Sequence, residues 1–290
     1  LPLHSGYTFR TRAIMKAQAA QGLEVRGISG FRNTAEGAPA EEVDGLMFHR
    51  TPGTPSGPAG VREWREVDAH AQAIARLARD WRPDVLHAHS PALAGMAGLK
   101  AARALGLPLI YEIRAFWEDA AVGNGTGRAG SVRYRVTRAL ENHVIAGADA
   151  VMTICDGLRD DLIARGFAGA RIGVMPNGVD LALFGKPIPR DEALTRELGL
   201  GVGPVIGFIG SFYDYEGLDD LIAAMPALVA KQPAARLLLV GGGPMEAALK
   251  AQAEASPAAF AIRFVGRVPH DQVERYYSLC EVMAYPRKRS

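Results

Sequence analysis

Short runs of Val, Ile and Leu, each about the length of a strand, alternate with helical patterns along the chain; the alternation breaks once and then resumes. No other feature narrows the fold as far. A strand followed by a helix and a second parallel strand needs a crossover, so the repeated unit is βαβ and the sheet is mostly parallel. Strands are expected near residues 24–28, 45–49, 84–88, 107–113, 150–154 and 171–175, and after the break near 205–210, 236–241, 261–265 and 281–285. The break is rich in Gly and Pro at 185–189 and 199–204 and reads as a connection between domains. The expectation is an α/β chain with two doubly wound domains, residues 1–182 and 204–290, joined by 183–203. In open α/β sheets ligands bind outside the C-terminal ends of the strands, so two such sheets facing one another would leave a cleft lined by those ends.

Val61, Trp64, Val67, Ala71, Ile74, Leu77 and Trp81 recur every three or four places and predict one buried helix face. Residues 52–60, with their Pro, Gly and Ser, read as a loop. Ser90-Pro91 reads as an N-cap followed by proline at the first helical position, so a strand ending at Ala88 turns directly into a helix. Across 290 residues, 48% hydrophobic and 22% charged, the balance is that of a folded chain with about two cores, not of a disordered one. A net charge of +2 provides no basic field for nucleic acid. No apolar run reaches the ~18 residues of a membrane span. Cys155 and Cys280 lie outside any CxxC or Cys/His pattern and read as reduced core thiols of a cytoplasmic protein. The chain has no initiator Met, opens on Leu1-Pro2-Leu3-His4-Ser5-Gly6 and stops at Pro286-Arg287-Lys288-Arg289-Ser290 just after a strand; it reads as a longer protein cut at both ends.

The most specific segment is Met175-Pro176-Asn177-Gly178-Val179-Asp180, followed by Phe184. Asn and Gly tolerate positive φ and Pro cannot continue a ladder, so Pro-Asn-Gly after a strand forces a sharp turn, and alone it implies nothing more. This segment resembles the PNGVD-x3-F turn of family 4 glycosyltransferases. Further segments are similar to that family, in its order: Pro83-Asp84-Val85-Leu86-His87-Ala88-His89, Gly241-Gly242-Gly243-Pro244, and Phe264-Val265-Gly266-Arg267-Val268 with the tyrosines and proline that follow. Ser5-Gly6-Tyr7-Thr8-Phe9-Arg10, Glu112-Ile113-Arg114 with Trp117-Glu118, and Gly210-Ser211-Phe212-Tyr213 with Tyr215-Glu216-Gly217 most resemble the glycosyltransferases of exosortase-linked exopolysaccharide clusters.

The resemblance implies the GT-B fold, two Rossmann-like domains of which the second is incomplete. It also implies transfer of a sugar, with retention, from a nucleotide sugar of UDP or GDP type to an acceptor, here a lipid-linked saccharide. Neither a bound metal nor another cofactor is implied, and the location is cytoplasmic or peripheral on the inner membrane. The charge of the diphosphate must then be met by backbone N–H groups and basic side chains. Gly210-Ser211 and Gly241-Gly242-Gly243 fit that task, although each alone is an ordinary βα turn. The family's first loop usually carries an Arg after its glycine and a Lys before its second glycine; the matching positions hold Ser211 and Glu216. A carboxylate ~5 Å from a phosphate charge costs roughly 3 kcal/mol at an effective dielectric near 20. Glu216 is therefore expected to point away or to meet a sugar or ribose hydroxyl, with Arg287 supplying the missing charge; an exposed basic tail is the plain alternative for Arg287.

On the acceptor side the candidates are Ser5, Gly6, Tyr7 and His89, with Asn177, Gly178 and Asp180 forming the interdomain turn. His87 and His89 share a strand face, which can bind metal, but no third ligand has a recognisable spacing and no metal is expected. Where the family commonly places a histidine that touches the donor sugar, this chain has Arg114, either a fixed cation for phosphate or a partner of Glu118 four residues on. The family's paired glutamates, eight apart, would follow residue 290. Arg128, Arg133, Arg135 and Arg138 suit anionic lipid or the pyrophosphate of a lipid-linked acceptor, or form a solvated helix face. Two other readings stand: a GT-B nucleotide-sugar 2-epimerase, which needs no acceptor, and a non-catalytic nucleotide-sugar-binding protein, favoured by Ser211 and Glu216.

Overall fold

A computed structural model describes residues 6–31, 38–179, 181, 186, 188–269 and 272–288. The chain divides into two compact units, Leu1–Val122 with Gly127–Asn177, and Gly123–Thr126 with Gly178–Ser290.

In the first unit α1 (Gly6–Ala20) precedes β1 (Arg26–Ser29), β2 (Ala40–Val43) and β3 (Leu46–Arg50), which form a small sheet of order β1-β3-β2. Then follow α2 (Val61–Trp81), β4 (Leu86–His89), α3 (Ala92–Leu105), β5 (Leu109–Ile113), α4 (Trp117–Gly123), α5 (Val132–Gly147), β6 (Ala150–Thr153), α6 (Asp156–Ala164) and β7 (Ile172–Val174). The four later strands pair in the order β4-β5-β6-β7, all parallel, as βαβ crossovers require. Leu99 and Ala102 of α3, the buried residues of β5, and Val144 and Ile145 of α5 make the main core, and α2 closes on α3 through Val67, Ala71, Ile74, Ala97 and Ala101.

Four local expectations are corrected. The hairpin strand β2 is new: its sequence, Ala-Glu-Glu-Val, is too polar to read as a strand, yet Asp44 and Gly45, at φ 53° and 75°, form the tight turn that returns it antiparallel to β3. The apolar face of α2 is buried only from Val67 onward; Val61 and Trp64, in its first turn, are 46% and 57% exposed. Ser90 caps no helix; its Oγ accepts the Arg114 N–H at 3.1 Å, and Pro91 takes the N-cap position of α3. Cys155 is exposed rather than in the core, whereas burial pushes the Cys280 thiol up to about 11.

The second unit holds α7 (Glu192–Glu197), β8 (Val205–Ser211), α8 (Leu218–Lys231), β9 (Arg236–Gly242), α9 (Glu246–Glu254), β10 (Ile262–Gly266), α10 (Val273–Tyr277) and β11 (Val282–Met283). Its parallel sheet runs β10-β9-β8-β11. Leu194 and Leu200, within the stretch read as a connector, are buried with Val205, Leu238, Val240 and Leu279 and so belong to this unit's core. The register of β8 and β9 sets Gly210 beside Gly241 and Ser211 beside Gly242, so the two glycine turns lie together at the C-terminal ends of their strands.

Candidate functional site

In the first unit the chemistry gathers around a carboxylate that spacing alone did not reveal. Glu112 of β5 is fully buried and pairs in register with His89 of β4. Its Oε1 accepts from Arg10 Nε at 2.8 Å and from Arg114 Nε at 3.0 Å. Its Oε2 faces His89 Nδ1 at 3.0 Å and His87 Nε2 at 3.4 Å, without a well-aligned hydrogen bond to either. Burial alone would push this carboxyl up, but His87 and the Arg10 guanidinium outweigh it and hold Glu112 far below the usual carboxylate range.

Arg114 is not free for a phosphate. Its Nη1 donates to Tyr7 O at 2.8 Å and Thr11 Oγ1 at 3.0 Å, its Nη2 lies 2.7 Å from His89 Nδ1, and its side chain is 4% exposed. It does not pair with Glu118 either, because that carboxylate is taken by Arg165 Nη1 at 2.9 Å. His89 Nδ1 lies 2.7 Å from Arg114 Nη2, which can only donate, and 3.0 Å from Glu112 Oε2, which can only accept; the shorter contact assigns the Nδ1 lone pair to Arg114 and the ring proton to Nε2. Burial lowers His89 to about 4, so the ring is neutral near pH 7. Arg10 completes the arrangement: Nη2 donates to Met175 O at 2.7 Å, and Nη1 to Pro176 O at 3.1 Å and Asn177 Oδ1 at 2.9 Å. The start of α1 is thereby tied to β5 and to the Pro-Asn-Gly turn. Tyr7 stacks on Trp117 with ring centroids 5.8 Å apart. Ser5 and Asp180 lie outside the described residues.

Among the described residues, His87, His89 and Glu112 are also the one trio whose ligand atoms come within 4.8 Å of one another, so Glu112 is the third ligand that the sequence spacing did not show. Arg114 argues against a cation there. A divalent ion ~4 Å from a guanidinium pays about 8 kcal/mol at an effective dielectric of 20, and Arg114 already uses the His89 Nδ1 lone pair.

In the second unit, Gly241 has φ +138°, and a Cβ on it would overlap the Gly210 carbonyl; glycine there is required by the packing of one turn on the other. Gly242 differs, since a Cβ there would meet only side chains, Glu246 Oε2 at 2.9 Å and Arg267 Nε at 3.3 Å. The exposed Arg267 is thus a basic residue beside this turn that sequence reasoning missed. Glu216 is buried and takes a two-pronged contact from Arg287, whose Nε and Nη2 each lie 3.0 Å from a carboxylate oxygen. Its charge is therefore neutralised by the residue expected to replace the family's missing cations, rather than turned away or given to a hydroxyl. Arg287 remains 66% exposed and its Nη1 group makes no contact with Glu216, so it still offers donors outward. Lys288, also unanticipated, bridges Asp214 at 3.0 Å and Asp219 at 2.7 Å, and those contacts raise its pKa. Ser211 is exposed at the end of β8.

Residues 5–178 match the glycosyl transferase 4-like domain, and residues 203–290 match the glycosyl transferases group 1 domain. The chain belongs to the glycosyltransferase family that carries these two domains. It is similar to the GDP-mannose-dependent alpha-mannosyltransferase of Mycobacterium tuberculosis, 31% identical over 208 residues, which cover 69% of this chain and 49% of that protein. Among solved structures, sucrose-phosphate synthase from Thermosynechococcus elongatus shares the fold at a TM-score of 0.73 and 18% identity, covering 98% of this chain and 70% of that one. HepE of Anabaena, solved with UDP and glucose, does so at 0.62 and 20%, covering 84% and 61%. The chain spans about half the length of the curated relative it matches.

Proposed function

We propose that this chain carries out, or forms part of a protein that carries out, metal-independent glycosyl transfer with retention from a nucleotide sugar to a lipid-linked saccharide, in bacterial exopolysaccharide or cell-surface glycan synthesis on the cytoplasmic side of the membrane. The observation that carries the reading is the family match over both units, with paired glycine turns in the second. A GDP-mannose-dependent relative and a shared fold with a UDP-bound protein support a donor of UDP or GDP type.

The donor diphosphate lies against the Gly210-Ser211 and Gly241–Gly243 turns, where backbone N–H groups and the outward donors of Arg287 meet its charge. In the first unit His89 is a neutral Nε2–H donor to a sugar hydroxyl and not a base, since its other nitrogen is held by Arg114. The departing phosphate oxygen takes the proton of the acceptor hydroxyl on the same face of the sugar, as the resemblance implies. Arg114 acts through His89 and α1 as a positioning residue.

The test is nucleoside diphosphate release from UDP-, GDP- and ADP-sugars, with and without a lipid-linked saccharide and with a chelator present. Release that needs the acceptor, survives the chelator and yields a product of unchanged anomeric configuration is expected. Turnover of the sugar without acceptor, or activity lost to chelator and restored by Mg²⁺ or Mn²⁺, overturns it.

A further inference from the structure

Helix α5 turns an atypical face to solvent. Its buried residues, Glu141, Val144 and Ile145, lie on one side. Opposite them, at alternating spacings of four and three, stand Val132, Val136, Ala139, His143 and Ala146, all exposed, with Val132 at 68% and Val136 at 51%. Arg133 and Arg135 border this stripe on its two sides, Arg128 is exposed just before the helix, and Arg138 is half-buried one turn on. Residues 128–138 contain these four arginines and no acidic residue, in a chain whose net charge is only +2. Among the described residues none of the four guanidinium groups forms a salt bridge.

An ordinary surface helix is charged along its outer stripe and apolar toward the core. Here the outer stripe is uncharged and the charges sit at its borders. That is the layout of an interfacial helix: the apolar stripe enters the acyl boundary, while the arginine stems lie along it and the guanidinium groups reach headgroup phosphates. We propose that α5 docks the first unit on an anionic lipid surface. The proposed lipid-linked acceptor gives this contact a purpose, but the surface itself is read from α5. A second copy of the chain fits poorly, because it would bring four more arginines against the first four, and residues 128–138 hold no carboxylate to meet them.

A second exposed apolar group lies at the same edge. Helices α2 and α5 precede the parallel strands β4 and β6 and run antiparallel to them, so both helices begin at the C-terminal edge of the sheet. Trp64 and Val61, exposed in the first turn of α2, therefore share that edge with Val132 and Val136.

The test is sedimentation of the full chain with vesicles of phosphatidylcholine alone and of phosphatidylcholine mixed with phosphatidylglycerol. Binding only to the anionic vesicles, weakened by salt and accompanied by a blue shift of tryptophan emission, is expected. Each arginine near an anionic surface is worth about fivefold, so R133Q/R135Q should bind roughly 25-fold more weakly, and V132D/V136D should not bind. Both variants should keep the wild-type melting profile, as these side chains are exposed. Equal binding to both vesicles, no binding at all, or variants that bind like the wild type would overturn the proposal. So would a concentration-dependent dimer abolished by V132D/V136D. Binding of a UDP- or GDP-sugar is measured in parallel; if it persists while vesicle binding fails, only the membrane contact is rejected.

Discussion

Replacing Glu112 with glutamine keeps the volume of the side chain and removes one charge from the centre of the first unit. The carboxylate is fully buried, and the two guanidinium groups on its Oε1 belong to side chains only 12% and 4% exposed. Removing one partner of a buried ion pair leaves the other charged and unpaired, which costs about 3–5 kcal/mol. A domain's whole stability is about 5–15 kcal/mol, so E112Q should remove a large share of the first unit's stability. Urea unfolding followed separately by Trp117 and by a probe in the second unit measures this: the first transition should move to lower urea and the second should stay where it is. R114K is the companion variant. It keeps the charge but cannot reach Tyr7 O, Thr11, His89 and Glu112 together, so it should lose stability as well, by less than E112Q. A loss under about 1 kcal/mol in E112Q would refute the view that this carboxylate holds Arg10 and Arg114 in place.

Glu141 makes the opposite pH prediction to a paired acid. Burial raises it to about 7 against an ordinary 4.5, with the Tyr111 hydroxyl donating to Oε1 at 2.6 Å and Oε2 unpartnered. Because the folded pKa is the higher one, this contribution is complete below pH 4.5 and is lost as pH rises through 7; E141Q should therefore gain about 3 kcal/mol relative to wild type between pH 4.5 and 8, and a pH-independent difference in urea midpoint would contradict it. In the second unit, R287A should weaken nucleotide-sugar binding by about one to two orders of magnitude, as expected for losing a charge-assisted contact. E216Q frees Arg287 and should leave binding unchanged or tighter by calorimetry; unchanged binding in R287A rejects the role, and a collapse in E216Q makes Glu216 itself the contact.

The parallel sheets were legible because apolar strand segments and the 3.6-residue period of the helices are local properties. Hairpin strand β2 was not, since it carries two glutamates; its readable sign was the Asp44-Gly45 turn. Periodicity placed the face of α2 but does not say how far along the helix that face is covered, and Val61 and Trp64 are exposed. In the site, His89 and Arg114 were legible as separate residues, but their connection through Glu112 depends on the register of two neighbouring strands, which spacing along one strand does not contain. A glutamate inside Leu-Ile-Tyr-Glu-Ile was the available signal, because a charge in so apolar a strand has to be paired. Arg287 and Glu216 stand 71 residues apart and meet only because β11 lies beside β8 in the sheet.

Hydrogen exchange with and without UDP or GDP tests the central claim most directly, because it reports where a nucleotide sits without needing a turnover. Protection should appear at residues 210–217 and 241–246, the two glycine turns and the helix starts beside them, and should weaken in R287A. Protection confined to the first unit, or none at a nucleotide concentration of about 1 mM, would contradict a donor site on the paired turns of β8 and β9.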